Sequence, residues 1–255
     1  MSTVLATYNI KGGVGKTSAA VNLAYLAARE GAQTLLWDLD PQGASTYLFR
    51  IKPKVRGGGR RLVRLKSDVA ALIKGTDHEG LDLLPADFSY RHMDLALDAF
   101  KRPTQRLARV IEPLRGEYDY VFLDCPPSIS LVSESVFEAA DALLVPIIPA
   151  TLSSRTFEQL EELLGGGANG GPLILAFFSM VDGRKRLHRE VMERLRERWA
   201  GVLEAAIPAS AEIERMGLKR DAVVAYAPRG KAALAYEALW SDIRTRLDHY
   251  ASPPG

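Results

Sequence analysis

A glycine-rich segment near the N-terminus, "KGGVGKTS" at residues 11–18, constrains this chain more than any other feature. It follows an apolar, strand-like segment at residues 3–9 and opens a helical pattern over residues 16–30. Glycines let a backbone fold closely around oxygen atoms, and the N-terminus of the following helix adds partial positive charge. The combination predicts a loop that holds the phosphates of a nucleotide.

The side chains of this loop have definite expected roles. Lys16 is expected to neutralise the terminal phosphates, and the Thr17 hydroxyl to bind Mg²⁺. The rest of the loop is expected to contact the nucleotide, mainly through its backbone: Gly12, Gly13, Val14, Gly15 and Ser18. The alternative is a glycine-rich turn without a ligand. Lys11 lies at the start of the loop. Its position places a positive charge near the phosphates but does not by itself indicate a role.

Apolar runs alternate with helical patterns along the chain. Strands are predicted at 3–9, 33–40, 81–87, 118–127, 140–150 and 171–181, and helices at 16–30, 67–74, 91–115, 131–139, 153–164, 187–199 and 230–248. Such alternation is typical of a parallel sheet covered on both faces. We therefore predict an α/β fold: a single P-loop NTPase domain over residues 1–255, with a mostly parallel twisted sheet, helices on both faces and a tail at 251–255. The glycine-rich stretch 165–171 is predicted to be a surface loop.

Three aspartates fall at predicted strand ends, where parallel α/β sheets carry their ligands. Asp38 and Asp40 share one face of their strand, and Asp124 ends another strand. A carboxylate there can lie beside Mg²⁺ or orient the water that attacks the terminal phosphate. Asp124 has the form of a Walker B aspartate. Turn or helix capping is the alternative, since "DPQG" is good turn chemistry. Cys125 is expected to be a small packed residue.

Taken together, "KGGVGKT", "DLDPQG" at 38–43 and "VFLDCPPS" at 121–128 closely resemble the motifs of the ParA/MinD family of deviant Walker ATPases. The resemblance covers nearly the whole chain and implies ATP and Mg²⁺ as cofactors. It makes Asp40 the water-positioning residue, places Asp38 in support of the metal shell, and makes residues 126–128 a segment that senses the terminal phosphate. Lys11 would cross the interface of an ATP-bound homodimer to the partner's nucleotide, and Pro208 would lie near the adenine.

The formal net charge is only +2, so affinity for polyanions requires local patches. Residues 50–66 hold eight basic residues and no acid, and their glycines predict a mobile loop. A helix at 187–199 is predicted to bury Leu187, Val191, Leu195 and Trp199. The resemblance places non-specific DNA contacts on basic residues of the C-terminal part: Arg184, Lys185, Arg186, Arg215, Lys219, Arg220, Arg229 and Lys231. A solvated charged surface is the alternative.

These features favour a ParA-like positioning ATPase in the cytoplasm, associated with the nucleoid. Its ATP-bound dimer would bind DNA non-specifically, and a ParB-like adaptor would stimulate hydrolysis. We expect no helix-turn-helix or other sequence-reading module before residue 3. The cargo could be a chromosome, a plasmid or a protein assembly.

Three other classes of protein share part of this pattern. A MinD-like membrane switch needs a C-terminal amphipathic anchor; Leu239, Ile243 and Leu247 form such a stripe, but we expect it to pack on the sheet and expect no membrane partner. A metabolic ATP-dependent ligase or amidase, such as dethiobiotin synthetase or cobyrinic acid diamide synthase, needs a substrate pocket or an added glutaminase domain, for which the chain is expected to lack room. A reductase like the nitrogenase iron protein needs two cysteines per subunit for its bridging cluster, and this chain has one.

Overall fold

The computed structural model describes residues 2–151, 155, 158, 159, 162 and 171–251. Its strands are β1 (Thr3–Thr7), β2 (Thr34–Asp38), β3 (Lys74–Gly75), β4 (Leu81–Leu84), β5 (Tyr120–Asp124), β6 (Ala142–Ile147), β7 (Leu173–Val181) and β8 (Val202–Pro208). They form one sheet in the order β3-β4-β2-β5-β1-β6-β7-β8. The β3–β4 pair is antiparallel and the other pairs are parallel. The predicted α/β class with a mostly parallel sheet is confirmed.

Helices cover both faces of this sheet. They are α1 (Lys16–Arg29), α2 (Ala44–Leu48), α3 (Gly58–Val63), α4 (Met93–Asp98), α5 (Arg106–Ile111), α6 (Leu131–Ala139), α7 (Arg186–Arg198), α8 (Ala211–Glu214), α9 (Met216–Lys219), α10 (Val223–Tyr226) and α11 (Lys231–Ala251). Short 3₁₀ helices span Ala70–Leu72, Phe88–His92 and Glu112–Leu114. Each face has its own core because alternate strand residues point to opposite sides. Leu5 packs in the cluster with α1 and α11, whereas Val4 and Ala6 pack in the cluster with α3 to α7.

The parallel register gathers strand ends at one edge of the sheet. Thr7 pairs with Asp124, and Asp124 pairs with Asp38, so the ends of β1, β5 and β2 lie side by side. The loop between β1 and α1 leaves the sheet at this edge. The sequence motifs are therefore adjacent in space although they are separated along the chain.

The basic segment at 50–66 differs from its prediction. It includes α3, and Val55, Leu62 and Val63 are buried in the core. The guanidinium of Arg106 donates from Nε and Nη2 to the Val63 carbonyl at 2.9 and 2.6 Å, and the Val55 amide donates to Asp87 at 2.8 Å. The expectation of a mobile loop was wrong, because three well-placed apolar residues anchor a segment that shows no periodicity.

Several predicted helices differ from the observed elements in their bounds or in the residues that they bury. The helical pattern at 91–115 is split into α4, α5 and a 3₁₀ turn, with Pro103 between the two helices, and residues 67–74 give a 3₁₀ turn and the start of β3. In α7, His188 is buried with Val191 and Leu195, whereas Leu187 is exposed and Trp199 lies past the helix end. The predicted helix at 153–164 and the loop at 165–171 lie almost wholly outside the described residues.

At the C-terminus, α11 packs as expected. Leu239 and Ile243 are fully buried and Leu247 is partly buried in the same core. Ala251, predicted to begin the tail, ends this helix, and residues 252–255 lie outside the described part. Across the described residues, no helix combines the length and apolar character needed to cross a membrane.

Candidate nucleotide site

The loop between β1 and α1 is shaped by glycines in left-handed backbone conformations. Gly15 precedes α1 with φ of 94°, and Gly13 has φ of 70°. Gly15 also lies against β7: a Cβ atom there would stand 2.8 Å from Ser179 Oγ. The left-handed backbone conformation therefore favours glycine at position 15, and a methyl group there would also force the Ser179 hydroxyl to move.

We predict that Gly15→Ala destabilises the protein by about 2–4 kcal/mol, because strain and a steric clash add. Gly13→Ala is the matched control. Its backbone conformation is also left-handed, but nothing lies within 4 Å of the added methyl group. The control is expected to cost about 1 kcal/mol. Equal losses in urea unfolding would contradict the proposed contact with Ser179.

Lys16 lies over the loop rather than in solvent. Its side chain is buried, and Nζ donates to the Lys11 carbonyl at 2.9 Å. Burial lowers the pKa of Lys16 from its ordinary value, while the charges of Asp124 and Asp40 oppose that shift. A cation held at the mouth of the loop is well placed to neutralise phosphate charge.

Lys11 is positioned by its backbone. Its amide donates to Asn9 Oδ1 at 2.9 Å, and Asn9 Nδ2 donates to the Pro146 carbonyl at 2.8 Å. The Lys11 residue is exposed, so its side chain is available to a ligand or a second subunit. Sequence reasoning missed Asn9, although its place two residues before Lys11 in the motif was a usable signal.

The carboxylates of Asp38 and Asp124 lie at the floor of the site. Both are fully buried and neighbour each other across the β2–β5 register. Burial is the largest cause that raises the pKa of each carboxyl, and the charge of Asp124 raises the pKa of Asp38 further. Two buried acids side by side favour a bound cation, because a cation removes the repulsion between them.

Hydroxyl groups hold these two acids in place. Asp124 accepts from Ser45 Oγ at 2.6 Å and from the Thr17 side chain. Asp38 Oδ2 accepts from the amide and Oγ1 of Thr46 at 2.8 and 2.7 Å, and its Oδ1 accepts from the Asp40 amide. The two oxygens of Asp38 thus face the protein. Ser45 and Thr46 were missed from the sequence, where two adjacent hydroxyl residues after "DPQG" were the signal.

The donor set fits Mg²⁺ bound together with a nucleotide. Asp124 and Thr17 offer hard oxygen ligands in contact with each other, next to the buried cation of Lys16. Among the described residues, no group of three His, Cys, Asp or Glu side chains could hold a metal alone. Mg²⁺ commonly takes one or two protein oxygens and completes its octahedron with phosphates and water.

Asp40 lies in the turn that joins β2 to α2. Its carboxylate accepts from the Gln42 amide at 2.9 Å, so Asp40 does cap the turn, which was the alternative to its role at the nucleotide. The side chain is half-buried, and its charge contributes to the pKa values of Lys16 and Asp124. The turn ends at Gly43, whose φ is 69° and where a Cβ would stand 3.4 Å from Pro53 Cβ. The turn therefore packs directly against the basic segment.

The segment after Asp124 closes the other side of the loop. Pro127 Cγ would lie 3.9 Å from a Cβ on Gly12, and the Ser128 carbonyl accepts from the buried Tyr8 hydroxyl at 2.9 Å. Cys125 is fully packed, and burial raises its pKa well above the usual range. It is the small packed residue that was predicted.

Pro208 ends β8 at the same edge of the sheet, where it pairs with Val181. The following helix α8 begins at a cap in which Ser210 accepts from the Glu212 amide. A role of Pro208 at the adenine stays a prediction.

The basic residues predicted to bind DNA fall into two groups. Near the end of β7, Arg184, Lys185 and Arg186 are all exposed. Arg184 pairs with Asp182 at 3.0 Å and Arg186 with Glu190 at 2.6 Å. In the second group, Arg220 lies over the Tyr47 ring and donates to the Tyr47 carbonyl. Four members are exposed: Arg215, Lys219, Arg229 and Lys231.

These elements define a P-loop nucleotide-binding protein of the α/β class. The family model described as an AAA domain matches residues 2–165. The chromosome partitioning protein ParA of Caulobacter vibrioides is 31% identical over 254 residues, which cover 95% of this chain and 94% of ParA. The sporulation initiation inhibitor protein Soj of Bacillus subtilis is 29% identical, covering 95% and 98%. The chain belongs to the ParA/MinD family of P-loop ATPases.

A solved structure from another functional class is also similar. Cobyrinic acid a,c-diamide synthase from Mycobacterium smegmatis, bound to ADP and magnesium, superposes with a TM-score of 0.82 at 26% identity. The match covers 100% of this chain and 97% of that chain. Because the match spans that chain almost end to end, the expected lack of room for an added glutaminase domain does not distinguish this chain from it.

Proposed function

We propose that this protein is an ATP-driven switch that positions or segregates a cargo. In this proposal it binds ATP with Mg²⁺, dimerises in the ATP-bound state, holds DNA non-specifically and is released after hydrolysis. The similarity to two chromosome partitioning proteins over nearly the whole chain supports this class.

One observation carries the proposal: the candidate metal site and the Asp40 turn share a single hydrogen-bonded unit. Ser45 binds Asp124, the neighbouring Thr46 binds Asp38, and Asp38 binds the Asp40 amide. In this proposal, loss of the terminal phosphate changes the contacts of Asp124 and Asp40, and the hydrogen bonds transmit that change to the turn and to α2. A switch needs such a connection between its ligand and an element that can move.

The residues have distinct proposed roles in hydrolysis. Lys16 and the loop amides stabilise charge on the transferring phosphoryl group, and Asp40 orients the attacking water. Thr17 and Asp124 hold Mg²⁺, which supplies electrostatic stabilisation of the phosphates when bound. Lys11 completes the site of the partner subunit, so hydrolysis depends on dimerisation.

For the remaining partners, the proposal follows the family. Basic residues of the C-terminal groups contact DNA phosphates without reading bases, which gives strongly salt-dependent binding. An adaptor of the ParB type stimulates hydrolysis, and the protein acts in the cytoplasm on the nucleoid.

We expect DNA retention to depend on nucleotide. Fluorescence anisotropy with a labelled duplex should show binding with ATP and Mg²⁺ that is at least ~10-fold tighter than with ADP or without nucleotide. Lys16→Ala should remove the ATP dependence. Equal DNA affinity in all three states would refute the switch, and ATP-dependent flotation with liposomes in place of DNA binding would favour the membrane class.

A second candidate is an ATP-dependent amide-forming enzyme, which the similarity to the diamide synthase favours. The chain's one cysteine, Cys125, is buried beside Asp124, so this chain offers no thiol for releasing ammonia from glutamine. Such an enzyme would have to use free ammonia. ATP hydrolysis that requires ammonia and a carboxylic acid, and ignores DNA, would select this candidate.

A further inference from the structure

A second charged site lies outside the candidate nucleotide site, around the basic segment. Residues 52–74 hold eight Lys or Arg residues and one acid, Asp68, in a chain whose net charge is +2. The rest of the protein is therefore net negative. In the described part of the chain, none of these eight cations has an acidic partner within 4.0 Å, whereas Arg50, just before them, pairs with Asp77.

Six of these cations surround a cavity of about 1150 Å³ beside the edge strand β3. They are Lys52, Lys54, Arg56, Arg61, Lys66 and Lys74. We call this cavity the basic groove. Its floor is apolar, since Val55 and Leu72 are buried there with Ile51 and Ala71 beside them. A solvated charged surface needs no concavity and no apolar floor, so the groove has the mixed lining of a binding site.

The walls of the basic groove are fixed by the fold. The Val55 amide donates to Asp87, the Gly59 amide donates to Ser89 Oγ at 2.9 Å, and Arg106 fixes the end of α3 through the Val63 carbonyl. A ligand therefore meets a wall that is already ordered, and the cost of ordering a loop on binding is small.

We propose that the basic groove binds an acidic peptide segment of a partner protein, with apolar side chains alternating among its carboxylates. The cations supply charge complementarity to the acids, and the apolar floor takes the apolar side chains. Nucleic acid fits less well. A duplex is too wide to enter the cavity, and the lining residues include no aromatic ring on which a single-stranded base could stack.

The test measures peptide binding to the full chain by fluorescence anisotropy. The probe is a short fluorescein-labelled peptide in which glutamate alternates with leucine. A second probe replaces leucine by serine, and a third is a labelled DNA duplex. The groove variant is Arg56→Glu/Lys66→Glu. The matched control is Lys101→Glu/Arg194→Glu, which changes the net charge equally at exposed residues outside the groove.

We expect the groove variant to weaken binding of the Glu-Leu peptide by about 10-fold or more, since two attractions become two repulsions. The control should change it by less than about twofold, and the serine probe should bind at least about fivefold more weakly than the leucine probe. Circular dichroism checks that both variants fold. The proposal is overturned by an absence of peptide binding, by equal losses in both variants, or by a groove variant that loses only the DNA duplex. Because the titrations with the two peptides contain neither nucleotide nor DNA, their outcome is independent of the switch proposal.

Discussion

Asp124→Asn is expected to stabilise the nucleotide-free protein while it lowers ATPase activity by about 10²–10³-fold. The buried carboxylates of Asp124 and Asp38 repel each other, and the asparagine removes one charge while its Oδ1 still accepts from Ser45. The gain should be on the order of 2 kcal/mol at neutral pH. Activity falls because the neutral amide binds Mg²⁺ poorly.

The raised pKa of Asp124 also predicts how the stability of the protein depends on pH. The fold raises the pKa of Asp124 above its unfolded value, so ionisation of this acid opposes folding. The wild-type protein should therefore lose stability as the pH rises from about 4 toward 7, and the variant should lose less. Urea unfolding across this range, with ATPase assays, measures both effects. Asp182→Asn is the control, because Arg184 lowers the pKa of this surface carboxyl and no gain in stability is expected. A destabilised Asp124→Asn protein, or one with full activity, would contradict the assignment.

Lys11→Ala is expected to lower ATP hydrolysis by about 10³-fold, the lower end of the effect of an added cation at a phosphoryl-transfer site. Nucleotide binding to the monomer should survive. The reason is that the contacts of Lys11 inside the loop use its backbone: the carbonyl accepts from Lys16 and the amide donates to Asn9. Alanine keeps both contacts and removes only the exposed ammonium group.

Titration with a fluorescent ATP analogue, light scattering and ATPase assays separate these effects. Lys101→Ala, another exposed lysine, should match the wild type in all three. If the Lys11→Ala protein dimerises with ATP and hydrolyses it normally, Lys11 is a solvated surface residue without a role in catalysis.

The sequence predicted the elements that carry a local pattern. The phosphate loop, α1, α6 and α11 follow from glycine spacing and apolar periodicity within one segment. The order of strands does not, because pairing β2 with β5 joins residues more than 80 positions apart. The neighbouring positions of Asp38 and Asp124 depend on that pairing, and so does the hydrogen bond from Ser45 to Asp124.

The basic segment shows a second limit of sequence reasoning. Eight cations and three glycines hide the pattern of the three apolar residues that anchor residues 50–66. The anchoring partners, Asp87 and Arg106, are far along the chain. Both partners lie outside residues 50–66, so the composition of this segment alone does not reveal them. It predicted a mobile loop, whereas long-range hydrogen bonds hold the backbone in place.

The close approach of Gly43 to Pro53 has a thermodynamic consequence. Pro53 stands between Lys52 and Lys54 of the basic groove, and Gly43 closes the turn that carries Asp40. If the nucleotide displaces that turn, the groove changes shape with it. Thermodynamic linkage then makes the effect reciprocal. If the nucleotide changes the affinity of the basic groove for its ligand by some factor, that ligand changes the affinity for the nucleotide by the same factor. A typical coupling of 1–3 kcal/mol corresponds to about 5–150-fold, so two equilibrium titrations, each with and without the other ligand, must close into one thermodynamic cycle.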